Sequence, residues 1–155
     1  MEIIVILYHG TQERRVRSIL SDGSIRRDAK QNHDSNPYGP DTPGYVYLAD
    51  SVEEAFAFAN MAADFDFGER ICVFEVDAPE ELLEIDADQV EWSARWRESE
   101  ADSKVVDVDS CLEILHAARI PMDLVIGKHV TRYAFVQRNR DWKEHIENCL
   151  EWVDL

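Results

Sequence analysis

The chain opens on a continuous apolar run and then alternates apolar segments with polar breaks. The run Ile3–Tyr8 is rich in β-branched residues, which predicts a buried strand that ends at His9 and Gly10. Apolar residues then recur at helical spacing over residues 12–21, with Thr11 as the expected cap. The first part of the chain therefore predicts a strand followed directly by a helix.

A polar segment separates this unit from the next strand. Residues 28–44 are rich in Pro, Gly, Asn and Asp, which predicts a loop long enough to be functional. Residues 45–48 predict a short strand. A helix is predicted to follow, with Ser51 as its N-terminal cap and Glu54 at the capping-box position.

The second half of the chain contains further strand and helix patterns. Residues 70–76 and 133–136 predict strands, and residues 142–153 predict a C-terminal helix. Apolar and polar residues alternate over 110–116, which also predicts a strand. The charged segment 87–104 contains two Trp residues and predicts either a short amphipathic helix or an insertion that packs on the body. The mixture predicts an α+β fold with a split, largely antiparallel sheet and flanking helices.

Composition fits one domain over residues 1–155. The chain is 45% hydrophobic, which is enough to build a packed core. Its three cysteines are widely spaced and form no CxxC pair, which predicts reduced thiols in a cytoplasmic protein. The apolar start is too short for a signal segment or a membrane span, so no membrane association is expected.

The net charge of −16 restricts the choice of partner. It argues against nucleic acid, because non-specific binding depends on Lys and Arg contacts to phosphate. It is compatible with a basic protein partner, or simply with a solvated surface. The histidines show no metal-ligand spacing with cysteines or carboxylates, so no metal site is expected.

Two short phrases resemble a known superfamily. Residues 7–11 read Leu-Tyr-His-Gly-Thr, and residues 47–50 read Tyr-Leu-Ala-Asp directly before a predicted helix. Together they resemble the first two signature elements of the diphtheria-toxin-like ADP-ribosyltransferases, the superfamily that includes the poly-ADP-ribose polymerases. The resemblance implies an ADP-ribosyltransferase-like split sheet and NAD as the substrate.

The resemblance also implies roles for individual residues. His9 would contact the adenosine-side ribose of NAD, and the bare Gly10 backbone would hold the nicotinamide amide, with Thr11 in the same binding element. Tyr47 would stack near the nicotinamide ring. Phe58, eleven residues further on, would complete an aromatic sandwich without offering a hydroxyl.

The third element in that superfamily is a carboxylate at the start of a later strand. It binds the ribose 2′-hydroxyl and stabilises the oxocarbenium-like transition state as nicotinamide leaves. Glu113 is the first choice, because a charge in the otherwise apolar segment 110–116 needs a reason. Asp109 and Glu75 are alternatives.

Each of these residues also has an ordinary structural interpretation. His9 could be a strand-end histidine, and Tyr47 could belong to the core. Phe58 could be a core residue of its helix, and Glu113 an edge-strand charge.

The resulting expectation is a mono-ADP-ribosyltransferase that uses NAD, releases nicotinamide and modifies a protein or small-molecule acceptor. The acidic surface favours a basic protein as acceptor, and the loop at 28–44 would cover the adenosine side as a lid. One alternative is a catalytically inactive member that binds a nucleotide-like ligand or a partner. Another is an acidic inhibitor of a basic partner. An RNA 2′-phosphotransferase-like enzyme ranks lower, because the sequence shows no basic cluster to grip RNA.

Overall fold

A six-stranded antiparallel sheet forms the centre of the protein, as seen in a computed structural model that describes residues 1–29, 42–63 and 68–155. The strands in chain order are β1 (Ile4–Gln12), β2 (Ser24–Ile25), β3 (Val46–Ala49), β4 (Ile71–Pro79), β5 (Ala117–Ile120), β6 (Leu124–Val125), β7 (Val130–Val136) and β8 (Val153–Asp154). The α-helices are α1 (Val16–Asp22), α2 (Val52–Ala62), α3 (Ala87–Trp96), α4 (Ala101–Lys104), α5 (Val108–Leu115) and α6 (Trp142–Asn148). The predicted α+β class and antiparallel pairing are therefore confirmed.

The sheet is ordered β5-β3-β1-β4-β7-β8, and β2 pairs with β6 in a separate two-stranded ribbon. β4 is its best-buried strand, because β1 and β7 pair with it on either side. Its side chains Cys72, Val73 and Phe74 are fully buried. β1 pairs with β4 along its whole length, from Ile4 opposite Pro79 onward.

The sheet opens between β1 and β3. These strands share a single paired position, Tyr8 opposite Ala49. On its other side, β3 pairs with β5 at all four of its residues. The strands β1 and β3 therefore separate beyond the paired position, and this separation shapes the cavity described below.

Helices cover one face of the sheet beside this opening. α2 lies against β1 and β4 and packs on α6, where Phe56 stacks on Trp142 with ring centroids 4.5 Å apart. The start of α2 is as predicted, since the Ser51 side chain accepts a hydrogen bond from the Glu54 backbone N–H at 3.1 Å. None of the described helices is both long and apolar enough to cross a lipid bilayer.

The strand predicted over residues 110–116 is wrong, because this segment belongs to helix α5. Asp107 and Ser110 form a reciprocal capping box at its start. His116 ends the helix in the left-handed conformation, with φ of 58°. Buried Cys111 and its apolar neighbours recur at helical spacing, and this periodicity outweighs the local alternation.

Two helix boundaries also differ from the prediction. Thr11 lies inside β1 and caps nothing, and α1 begins only at Val16, after a 3₁₀ turn. The C-terminal helix ends at Asn148, and the chain then adds β8 as an edge strand next to β7. Residues 30–41, most of the predicted loop, lie outside the described residues.

The charged segment that was predicted as a helix or an insertion forms two helices, α3 and α4. Asp86 caps α3 by accepting a hydrogen bond from the Gln89 backbone N–H at 3.0 Å. The helices α3, α4 and α5 enclose a small apolar cluster of their own around Ala101 and Cys111. This arrangement brings one side of α3 to the open end of the sheet.

Candidate active-site cavity

A cavity of about 690 Å³ lies where β1 and β3 separate. Its walls come from β1, β3, α1, α2 and α3. Five of the six residues expected to form the site contribute to these walls. They are His9, Gly10, Thr11, Tyr47 and Phe58.

His9 connects the two separating strands. Its Nδ1 lies 2.8 Å from the backbone oxygen of Tyr47. Burial lowers the pKa of His9 below the ordinary value of 6.5, the charge of Arg15 adds to this effect, and the Tyr47 hydrogen bond opposes it. The ring is therefore neutral at pH 7. Since a carbonyl oxygen only accepts, Nδ1 carries the proton and Nε2 is left as an acceptor.

Gly10 lines the cavity, but the structure gives its small size a second explanation. A Cβ atom at this position would lie 2.3 Å from the backbone oxygen of Ala55 and 2.9 Å from the Cβ of Ala59. Both residues belong to α2, which crosses β1 here. The bare backbone therefore lets helix α2 approach the strand, whatever ligand the cavity holds.

Two tyrosines line the cavity at β3, one within the strand and one just before it. Tyr47 was expected there, and Tyr45, to which the sequence analysis gave no role, lies beside it with ring centroids 6.4 Å apart. Residues two apart on a strand share a face, so this period could have identified Tyr45. The Tyr47 hydroxyl lies 2.5 Å from Oδ2 of Asp88 and 2.8 Å from the backbone oxygen of Thr42. Its single hydrogen is assigned to the carboxylate, because a charged acceptor makes the stronger hydrogen bond.

Asp88 is a second residue that sequence reasoning missed. It lies in the first turn of α3 and lines the cavity. Its carboxylate also accepts hydrogen bonds from the backbone N–H of Thr42 at 2.8 Å and from the Thr42 hydroxyl at 2.7 Å. Burial opposes ionisation, but the hydrogen bonds from Tyr47 and Thr42 and the charge of Arg119 hold the pKa below its ordinary value. Asp88 is thus a carboxylate at pH 7.

Arg119 lies behind this group. It is directly opposite Tyr47 in the β3–β5 pairing, and its guanidinium lies 3.9 Å from the ring centroid of Tyr45. Its Nη1 is 3.9 Å from Asp88 Oδ2. Its side chain is 12% exposed, and Nε and Nη1 are buried with no hydrogen-bond partner among the described residues. The guanidinium is held by ring stacking on Tyr45, by attraction to Asp88 and by a polar contact with the Tyr47 side chain.

The three predicted carboxylates lie elsewhere. Glu113 and Asp109 are exposed on α5, because the segment is a helix whose opposite side is buried. Glu75 lies on β4 and forms an ion pair with Arg132 at 2.7 Å. None of the three is among the residues that line the cavity. Among the described residues, the acidic ones that do line it are Asp22, Asp86, Asp88 and Glu91.

The cavity also contains positive charge, although the whole chain carries −16. Arg15 and Arg26 lie near its α1 side, and Arg95 lies on α3. These guanidinium groups could hold an anionic part of a ligand such as a diphosphate. In the described part of the chain, no group of three or more His, Cys, Asp or Glu side chains could hold a metal ion.

The geometry thus combines a neutral imidazole acceptor, aromatic rings, arginines and the hydrogen-bonded carboxylate of Asp88 around a single opening. These are the groups that a nucleotide-sized ligand with a planar ring, sugar hydroxyls and phosphates would contact. Compared with protein-family models and with curated protein sequences, the chain has no match. A function for this cavity is therefore inferred from the chemistry of its own residues.

Proposed function

We propose that the cavity binds NAD and that the protein is an NAD-dependent mono-ADP-ribosyltransferase. The observation that carries the proposal is the hydrogen bond from His9 Nδ1 to the backbone oxygen of Tyr47 at the opening of the sheet. This hydrogen bond joins the two segments that resemble the superfamily, residues 7–11 and residues 47–50, in one wall of the cavity. Gly10 and Phe58 line the same cavity. As part of the proposal, the opening between β1 and β3 is the cleft of an ADP-ribosyltransferase-like split sheet.

Each part of NAD has a matching group in the cavity. The free Nε2 of neutral His9 accepts a hydrogen bond, which suits a ribose hydroxyl. The rings of Tyr47 and Phe58 suit a planar, cationic nicotinamide. The charges of Arg15 and Arg26 suit the diphosphate. The volume of about 690 Å³ lies inside the range of roughly 300–1,000 Å³ common for ligand sites.

The proposed reaction breaks the bond between ribose C1′ and the nicotinamide nitrogen. The electron pair leaves with nicotinamide, so the pyridinium charge is neutralised, and an acceptor nucleophile then bonds to C1′ and loses a proton. The net charge of −16 supports a basic protein as the acceptor, because opposite charges speed the encounter.

Calorimetric titration of the protein with NAD, followed by nicotinamide release, tests the proposal. The variant His9→Ala removes the imidazole, and His116→Asn is its control, because His116 lies outside the cavity walls and Asn tolerates the left-handed backbone. We expect His9→Ala to weaken NAD binding about tenfold, the size of one good hydrogen bond. Wild-type protein that binds no NAD at about 1 mM would refute the proposal, since that affinity is the weak end for a specific site.

A second candidate is a binding module of the same fold without transferase activity. It is favoured by one observation, that Glu113 lies outside the cavity. Such a protein would bind NAD or a similar nucleotide in the same titration and release no nicotinamide over hours, with or without a basic protein added as acceptor.

A further inference from the structure

The strand that runs beside Tyr47 carries a cation next to this residue. β5 pairs with β3, and the residue opposite Tyr47 is Arg119. Opposite residues of an antiparallel pair project to the same face of the sheet, so Arg119 and Tyr47 lie on the same side. Arg119 does not line the cavity, since the ring of Tyr45 covers its guanidinium.

Helix α3 provides the carboxylate instead. Asp88 lines the cavity and accepts the Tyr47 hydroxyl on Oδ2. Thr42 donates its backbone N–H to the same oxygen and its hydroxyl to Oδ1. A carboxylate accepts about four hydrogen bonds, so these three contacts leave one acceptor position, on Oδ1.

We infer that Asp88 is the catalytic carboxylate of this cavity and that Arg119 is its positioning residue, an inference that rests on the proposed function. Asp88 accepts the 2′-hydroxyl of the nicotinamide-side ribose at the remaining position on Oδ1. Its negative charge stabilises the positive charge that develops at C1′ while the electron pair of the C1′–N bond leaves with nicotinamide. Tyr47 and Thr42 hold the carboxylate in this orientation.

The role of Arg119 follows from its placement. Its charge lies 3.9 Å from Asp88 and behind the cavity wall, so it acts on the carboxylate and does not touch the substrate. A neighbouring cation favours the ionised form of a buried acid. Among the described residues, the other titratable groups in these surroundings are Tyr47 of β3 and Tyr45 just before it, Glu84, which pairs with Arg119 on the side away from β3, and, in and next to α3, Asp86 and Glu91.

The first test compares Asp88→Asn with Glu113→Gln. Asn keeps the size of the side chain and removes its charge, while Glu113→Gln makes the same change on the exposed face of α5. In Asp88→Asn we expect nicotinamide release to slow about 100-fold or more and NAD affinity to change by less than about threefold, because the charge acts mainly in the transition state. Glu113→Gln should match wild type.

Equal turnover in the two variants, or a loss confined to Glu113→Gln, would overturn the inference and leave the proposed function in place. Wild-type protein that fails to bind NAD would overturn both the proposed function and the inference about Asp88. The two failures therefore give different results.

A second test uses the pH profile of turnover and does not require an Asp88 variant to fold. Removal of the charge in Arg119→Gln should move the acidic limb of kcat to higher pH, and Arg119→Lys should leave that limb close to its wild-type position. A purely structural role for Arg119 would lower activity or melting temperature and leave the limb in place, which would contradict the assignment. Circular dichroism melting of each variant shows whether it is folded.

Discussion

Replacing Gly10 with alanine separates the two explanations for this residue. If the glycine only admits a ligand, Gly10→Ala should fold with wild-type stability and lose NAD binding. If it admits helix α2, the same change should destabilise the protein even without ligand. The structure favours the second explanation, because the new Cβ would lie 2.3 Å from the backbone oxygen of Ala55.

The size of the effect follows from what the Cβ would meet. Carbon and oxygen atoms rarely approach below about 3.0 Å, so the helix backbone would have to shift by more than half an ångström. Overpacking a well-packed site typically lowers the free energy of unfolding by about 1–3 kcal/mol. Because the new Cβ would meet backbone, which moves less easily than a side chain, we expect a loss of about 3 kcal/mol or more for Gly10→Ala. For a chain of this size, that corresponds to a fall in melting temperature of about 6–12 °C.

Urea and thermal unfolding of the ligand-free protein measure this loss. Gly23→Ala is the control, because Gly23 has φ of 76° and no atom within 4 Å of its would-be Cβ. It should cost only the left-handed strain of about 1–2 kcal/mol. Adding Ala59→Gly to Gly10→Ala removes the contact at 2.9 Å but not the one with the Ala55 oxygen, so recovery should be partial. Wild-type stability of Gly10→Ala would refute the packing explanation.

Three further outcomes are expected. Phe56→Ala should lower the free energy of unfolding in urea by about 3–5 kcal/mol, because the fully buried ring stacks on Trp142. Asp107→Ala should also lower it, by less than Phe56→Ala, through loss of the α5 cap. In NMR titrations, the pKa of His9 should lie below 6.5 because of burial, and that of His116 above 6.5 because of its hydrogen bond to a carboxylate. As pH falls below 6.5 the His9 contribution to stability is lost, whereas the His116 contribution is lost as pH rises through its folded pKa.

The elements with one dominant local signal were predictable from the sequence. The β-branched run predicted the strand β1, but its expected burial was wrong, because Ile4 and Ile6 are exposed, and the strand runs past Gly10 to Gln12. The Ser51 cap correctly predicted the start of α2. A strand-forming run and a helix cap both depend on residues that are close together in the chain. They can therefore be recognised in a single sequence. The convergence of His9, Tyr47 and Phe58 on one cavity was expected from the resemblance, and the structure brings them together.

The segment 110–116 shows where local patterns are ambiguous. Its apolar residues fit both an alternating strand and a helix, since a short run does not separate the two periods. The deciding signal begins just before the segment, where Asp107 is followed three residues later by Ser110 and caps the helix. Because the strand was wrong, Glu113 was expected on a strand as the third signature carboxylate, when it lies on the exposed side of α5.

Asp88 could not be found by this kind of reasoning, because its partners are distant in the chain. It lies 41 residues after Tyr47, and Arg119 reaches it only through the pairing of β5 with β3. In sequence it is one acidic residue among 32. What distinguishes it is a combination of contacts: a tyrosine hydroxyl, two donors from Thr42 and a cation behind them. A carboxylate held this way has a fixed orientation, which electrostatic stabilisation of a transition state requires and an exposed glutamate lacks.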